Sequence, residues 1–374
     1  MLRALRFNRG DQLMQHPCSP RSSSVTARTP IVAVEEGFTL PEVWEATRRA
    51  VSARVAEEPG EAFVFGMTAP SVGAAAGPPE WLRCLFDLDE LRLEDMNVAG
   101  IDRQLLLLSS PGVQVLDPGA ARELSVLVND RLASAITRHP GRFSGLAAIP
   151  PQDPKFAAAE LERAVCRLGL RGAVINSHTR GAYLDEERFE PILDAAERLD
   201  VPIYIHPRAP SPAMVGPFLD QGLVGAIWGY AAEVALHALR LIFSGVFDRH
   251  PGLRLVIGHM GEGIPFFLDR IDTHHRNGGG RGPRARPLRR RPSEYFREHF
   301  HVTTSGMNWG PALRLAIDVL GSERVLFAAD YPFEDANAAV ARIGAFPLSE
   351  SERTAILSDN ASRVFGLSAV PSVQ

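Results

Sequence analysis

The fold this sequence predicts is an α/β one: a (β/α)8 barrel of the TIM type, with a helical and loop-rich segment inserted after its first strand. Three observations predict it. Apolar runs of strand length alternate with helical stretches, and eight such runs lie between residues 31 and 329. Polar and titratable residues then recur just past the carboxyl ends of these runs, where barrel enzymes build their sites. An open doubly wound sheet is the competing architecture, and it would scatter those residues along its edge.

The first run, Ile31–Val34, ends at Glu35-Glu36-Gly37-Phe38. From Leu40 to about Leu91 the pattern is mixed, with a helix around Val43–Val55, a Gly/Pro/Ala-rich loop at Ala69–Pro79 and another helical piece starting near Trp81. This stretch is the predicted insertion. Regular alternation follows, with strands at Gln104–Leu108, Phe143–Ile149, Gly172–Ile175, Val201–Ile205, Arg254–Ile257, Phe300–Thr303 and Arg324–Ala329. Between most of them lie helices at Ala120–Arg138, Lys155–Leu168, Glu186–Leu199, Ala231–Phe247, Ile264–His275 and Pro311–Leu320. No linker or internal repeat divides residues 31–366, which form one expected domain. Residues 1–30 carry Arg3, Arg6, Arg9, Arg21 and Arg28 against the single acid Asp11 and read as a disordered extension; residues 367–374 read as a C-terminal tail.

Composition narrows the partners. A net charge of −4 over 374 residues gives no overall reason to expect nucleic acid or a membrane surface. No apolar run approaches the roughly 18 residues of a spanning helix. Cys18, Cys84 and Cys166 are widely spaced and form neither a metal nor a disulfide pattern, which points to a reducing, cytoplasmic setting. Arg276–Arg291 holds seven arginines without interleaved aromatics and reads as a solvated loop or a subunit contact.

Glu35 follows the first run, Ser109 and Ser110 the second, Asn176 and His178 the fourth, His206 the fifth, His259 the sixth and Asp330 the eighth. Glu35, His206 and Asp330 are the candidate metal ligands, because a divalent ion needs carboxylate and neutral imidazole donors converging from different strands. His259, with Glu262 three residues later, completes a four-sided site. Arg208 either binds an anionic substrate or salt-bridges the rim. Trp228 and Tyr230 either line an aromatic pocket or pack. His237 and Glu233, four apart, read as an ordinary helical pair.

The segments Val34-Glu35-Glu36-Gly37-Phe38, Tyr204-Ile205-His206-Pro207-Arg208, Ile257-Gly258-His259-Met260-Gly261-Glu262 and Ala329-Asp330-Tyr331-Pro332-Phe333-Glu334 resemble those of the amidohydrolase-superfamily non-oxidative decarboxylases. This is the branch of the γ-resorcylate, 2,3-dihydroxybenzoate, 5-carboxyvanillate and aminocarboxymuconate-semialdehyde decarboxylases. The resemblance runs from about Ile31 to Phe365. It implies that Glu35, His206 and Asp330 hold the metal, that Asp330 also moves the proton, that His259 lies beside the substrate partnered by Glu262, and that Arg270 meets a substrate carboxylate. Ser109, Ser110, Arg208 and Trp228 are the other expected substrate contacts. Several relatives carry a second first-strand ligand, a histidine, where this chain has Gly37. Losing an imidazole shifts the donor set toward oxygen and places Mn2+ beside Zn2+ as the expected ion. Asn176 stands where two-metal amidohydrolases place a bridging lysine or acid, so one ion is expected.

The activity so implied is non-oxidative decarboxylation of an ortho-hydroxy aromatic or related unsaturated carboxylic acid. Direct loss of CO2 would leave an aryl carbanion, so the ring carbon is protonated first. Two other activities fit the same residues: hydrolysis of a lactone or amide by a metal-bound water, and a catalytically silent barrel serving as a scaffold. The resemblance also implies a homodimer or homotetramer.

Overall fold

Every strand pairing in the computed structural model is parallel among the described residues, 28–68 and 78–368. Most of the expected N-terminal extension, most of the Ala69–Pro79 loop and most of the C-terminal tail lie outside them. The strands are β1 (Val32–Phe38), β2 (Arg103–Leu108), β3 (Phe143–Gly145), β4 (Ala147–Ala148), β5 (Ala173–Asn176), β6 (Ile203–His206), β7 (Leu255–Ile257), β8 (Phe300–Thr303) and β9 (Val325–Leu326). They form two ladders, β1-β2-β3 and β4 through β9 in sequence order.

The ladders meet within one barrel strand. Leu146, between β3 and β4, donates its amide to Leu106 of β2, and Ala147 then turns to Gly172 beside β5. β3 and β4 are thus the two halves of the predicted Phe143–Ile149 strand. At the other seam the pairing is sparser: Val34 N–H donates to Phe327 O at 2.9 Å and Gly37 N–H to Tyr331 O at 2.7 Å, joining the first strand to the last. The result is the predicted (β/α)8 architecture. Its strands are buried throughout, as expected where helices cover a parallel sheet.

Glu35 does not follow the first strand. β1 runs on to Phe38, and its register against β2 shifts between Val34 and Glu36. Glu35 is the extra residue of this bulge, with φ at 82°. A bulge re-aims a side chain out of strict alternation, so two consecutive glutamates point to different places.

Among the described residues, four helices intervene between β1 and β2: α1 (Pro41–Ala53), α2 (Pro59–Thr68), α3 (Glu80–Phe86) and α4 (Glu90–Ala99). This is the predicted insertion. The fully buried Arg92 of α4 ties it to the barrel, donating to Gly37 O at 2.7 Å, Cys84 O at 3.1 Å and Gln104 Oε1 at 3.1 Å. The barrel helices follow the sequence closely where caps are strong. α5 (Pro118–Arg138) begins on a proline, and α6 (Pro154–Leu168) starts on an Asp153 cap and ends on the left-handed Gly169. The helix expected at Glu186–Leu199 instead opens with a tight turn at Glu187–Phe189 and becomes α7 (Glu190–Arg198) where Pro191 fits its first turn. After α8 (Gly216–Gln221), the stretch expected as Ala231–Phe247 divides into α9 (Gly229–Phe243) and α10 (Val246–Arg249), because Gly245 takes φ of 69° between them.

Candidate active site

The strand ends place four titratable groups around one cavity floor. His206 is the last residue of β6, and its Nδ1–H donates to Asn176 Oδ1 at the end of β5, 2.9 Å away. That bond fixes the tautomer and leaves Nε2 as a lone-pair donor. Burial holds the imidazole down at a pKa of about 4, so it is neutral at physiological pH.

Glu35 receives a hydrogen bond from Thr303 Oγ1 on Oε2 at 2.6 Å, while its Oε1 is buried with no partner. Burial raises its pKa to about 7. Gly258 makes room for that oxygen, since a β-carbon at this position would lie 2.7 Å from Oε1. Glu36 points elsewhere. Its carboxylate accepts the amides of Ala329 at 2.9 Å and Tyr331 at 3.3 Å, clamping the backbone on both sides of Asp330.

His259 leans on Glu262 through Nδ1, 2.9 Å from Oε1, and its Nε2 is 3.8 Å from Asp330 Oδ2. Burial pulls its pKa down, but the Glu262, Asp330 and Glu35 carboxylates outweigh that and hold it well above the ordinary histidine value. The ring is therefore a cation with one N–H directed at Asp330. Glu35, His259, Glu262 and Asp330 all adopt left-handed backbone, with φ of 82°, 51°, 54° and 62°. Non-glycine residues take this conformation at a cost and keep it where surrounding structure imposes it, often at functional sites.

An orphaned buried carboxylate oxygen, a neutral imidazole with a free nitrogen and the Asp330 carboxylate suit a divalent ion with mixed oxygen and nitrogen preference. The tightest metal-type grouping among the described residues lies elsewhere, at Glu190, Asp194 and His250. There both His250 nitrogens face carboxylates, Glu190 Oε2 at 2.5 Å and Glu197 Oε2 at 3.0 Å, and Arg249 binds Glu190. That arrangement is an outer ion-pair network with its donors already engaged.

Above the floor the cavity encloses about 280 Å³. Its far wall is a chain of aromatic rings: Phe65 of α2 against Trp44 of α1 at 5.1 Å between centroids, Trp44 against Trp81 of α3 at 5.6 Å, and Trp81 against Phe333 at 6.5 Å. Leu85 completes it. Gly37 sits beneath, where an added β-carbon would meet Tyr331 O at 3.2 Å, Leu85 Cδ2 at 3.3 Å and Phe333 Cε2 at 3.6 Å. The space at this position is thus bounded by the apolar wall.

Of the expected substrate contacts, Ser109 and Ser110 line the cavity, and Ser110 Oγ is buried without a partner. The other three do not line it. Arg208 is fully buried and spent on two carboxylates, Glu58 at 2.6 Å and Glu61 at 2.9 Å. Arg270 is exposed on the helix Ile264–Arg276, away from the residues that line the cavity. Trp228 is 56% exposed at the start of α9, while its neighbours Gly225, Ala226 and Tyr230 face the cavity. Glu233 and His237 do not pair directly; both engage Ser177 Oγ, at 2.9 Å and 3.2 Å. Sequence reasoning missed Glu36, Thr303 and the wall residues Trp44, Phe65 and Phe333. The doubled glutamate was the one available signal among these.

Comparison with known proteins adds to this geometry. A family model described as Amidohydrolase matches residues 87–367. γ-Resorcylate decarboxylase of Rhodococcus jostii is 43% identical over 297 residues, spanning 76% of this chain and 89% of that protein. The crystal structure of 5-carboxyvanillate decarboxylase from Novosphingobium aromaticivorans, complexed with manganese and 4-hydroxy-3-methoxy-5-nitrobenzoic acid, superposes with a TM-score of 0.86 at 39% identity, covering 90% of this chain and 96% of that one. The dihydroxybenzoic acid decarboxylase of Polaromonas, with bound manganese and the inhibitor 2-nitroresorcinol, gives a TM-score of 0.77 at 35% identity over 91% of this chain and 97% of that one.

Proposed function

This chain belongs to the amidohydrolase family, and from that premise we propose that its site is that of a metal-dependent carboxy-lyase, removing CO2 from a small aromatic carboxylic acid. One observation carries the reading on the side of structure: neutral His206, Asp330 and a cationic His259 held by Glu262 line one cavity, and the buried Glu35, its Oε1 without a partner, interacts electrostatically with His259 and Asp330. The names of the relatives carry it on the side of chemistry.

Glu35, His206 and Asp330 hold one divalent ion, manganese by analogy with the relatives. When bound, such an ion supplies charge that fixes an ortho-hydroxybenzoate and polarises its oxygens. The remaining work falls to the protein. The aromatic wall closes the cavity beyond the ring and excludes water, and Ser110 Oγ offers an uncommitted hydrogen-bond donor. Asp330, flanked by the two amides that Glu36 clamps, takes the proton that the substrate's ortho-hydroxyl gives up as it binds and delivers it to the ring carbon bearing the carboxylate. The His259 cation, 3.8 Å from Asp330, hydrogen-bonds the carboxylate that leaves as CO2. The C–C bond then breaks, its electron pair restoring the aromatic ring.

The oligomer is a homodimer or homotetramer. Phe266, Phe267, Ile227 and Trp309 are 48–72% exposed, and apolar groups of this size at a surface favour self-association. Cysteine usage favours the cytoplasm. Residues 31–366 act as one catalytic domain.

Manganese-loaded protein incubated with a panel of ortho-hydroxybenzoates in D2O tests the reading. The expected result is CO2 release with deuterium at the vacated ring position. Bound metal with no CO2 from any aromatic acid, together with hydrolysis of a lactone or amide, would overturn it.

A further inference from the structure

We infer that the substrate carries an uncharged apolar substituent, an alkyl chain or a second ring, on the edge of its ring opposite the reacting carboxylate. The Trp44–Phe65–Trp81–Phe333 wall is the subsite for it. The inference rests on the decarboxylase reading for the orientation of the ring and on the wall itself for the chemistry.

His206, His259 and Asp330 on the floor suit a carboxylate and a phenolic oxygen, and Ser109 and Ser110 line the cavity beside Trp44 and Leu85. On the decarboxylase reading, a ring anchored on the floor leaves its opposite edge to the aromatic chain. The cavity is about 280 Å³, and the rings of the wall that line it carry no charge.

A second carboxylate at that edge finds no cation. Among the described lining residues there is no arginine or lysine, and the one cation, His259, sits on the floor. Arg208, the nearest buried guanidinium in sequence to the floor, is already shared by Glu58 and Glu61. Glu61 itself lines the cavity as a carboxylate, which repels a substrate anion. Position 37 completes the pattern, since Leu85 and Phe333 close on the space above Gly37. This wall therefore offers no paired cation to a second carboxylate, which a buried anion needs.

Three ligands differing only at the remote position test this on the manganese-loaded enzyme: resorcinol, 5-propylresorcinol and 3,5-dihydroxybenzoate, each a decarboxylation product. Binding is followed by calorimetry and by the fluorescence of the wall tryptophans, and turnover with the matching 2,6-dihydroxybenzoates. Propyl is expected to tighten binding roughly 10- to 100-fold over hydrogen, with carboxylate weaker than hydrogen. Trp81→Ala should cut binding of the propyl ligand about tenfold more than binding of resorcinol, and Trp81→Phe should restore most of it. Phe333→Arg, at a half-exposed position that tolerates charge, should raise affinity for 3,5-dihydroxybenzoate above that for 5-propylresorcinol. Wild-type binding of the carboxylated ligand as tight as the propyl one would overturn the inference. Propyl preference with no CO2 from any of the acids would support the subsite and sink the decarboxylase reading. CO2 release without propyl preference would do the reverse.

Discussion

The floor and the wall of the cavity come from different parts of the chain and obey different rules. On the floor, Glu35, His206, His259 and Asp330 stand at strand ends or in a strand bulge, three of them on left-handed backbone, and neighbours fix their side chains. On the wall, Trp44, Phe65, Trp81 and Phe333 come from the insertion helices and the loop after β9, and they touch only through ring faces and edges. Position and protonation are specified tightly at the floor, because a proton and a metal tolerate little displacement. The wall needs only shape and apolarity, so its residues are replaceable within that limit. Left-handed backbone marks the floor and is absent from the wall residues.

Perturbing the floor should therefore cost far more than perturbing the wall. The largest effect belongs to Asp330→Asn, which removes the proton and weakens the metal set; kcat should fall by about 10³-fold or more, measured beside metal content. Near-wild-type turnover with metal bound would move the proton donor elsewhere. His259→Asn should lower kcat by about 10²-fold with metal retained, and a change confined to KM would reduce His259 to a binding group. Asn176→Ala frees the His206 ring and should weaken manganese binding by about 10- to 100-fold, read by metal titration. Unchanged affinity would mean that β6 alone orients the imidazole.

A smaller perturbation probes the frame beneath both regions. His301 in β8 is buried with Nδ1 unpartnered, and burial, with Arg324, Arg363 and Arg254 nearby, lowers its pKa from 6.5 to about 3. The unfolded chain binds a proton there below pH 6.5 while the folded one resists it. Stability is thus complete above that pH and declines as pH falls toward 3, by about 1.4 kcal/mol per pH unit for this group. Thermal melts of wild type and His301→Asn between pH 7 and 5 should diverge in slope; parallel curves would show that His301 titrates alike in both states.

Most of the floor was legible in the sequence because barrel topology delivers strand-end residues to one rim, whatever the loops do. Glu35, His206, His259, Glu262 and Asp330 were found that way, aided by motif resemblance. Glu35 was found for a partly mistaken reason, since a bulge inside β1 directs it to the site. Arg208 shows the limit: next to a ligand in sequence, it looks like an anion binder until Glu58 and Glu61, some 150 and 147 residues away in the chain, are folded against it. Arg270 fails similarly, because a helix start says nothing of which side faces the cavity.

What the sequence determined by itself was the fold class, the insertion and the choice of candidate site residues, all consequences of periodicities and strand-end positions that are local. Only the tertiary structure decided which groups are charged, which are already paired and which rings line the cavity. Those properties arise from burial and from contacts between segments far apart in the chain, as when Thr303 meets Glu35, Asn176 meets His206, and helices of the insertion meet Phe333 across the cavity.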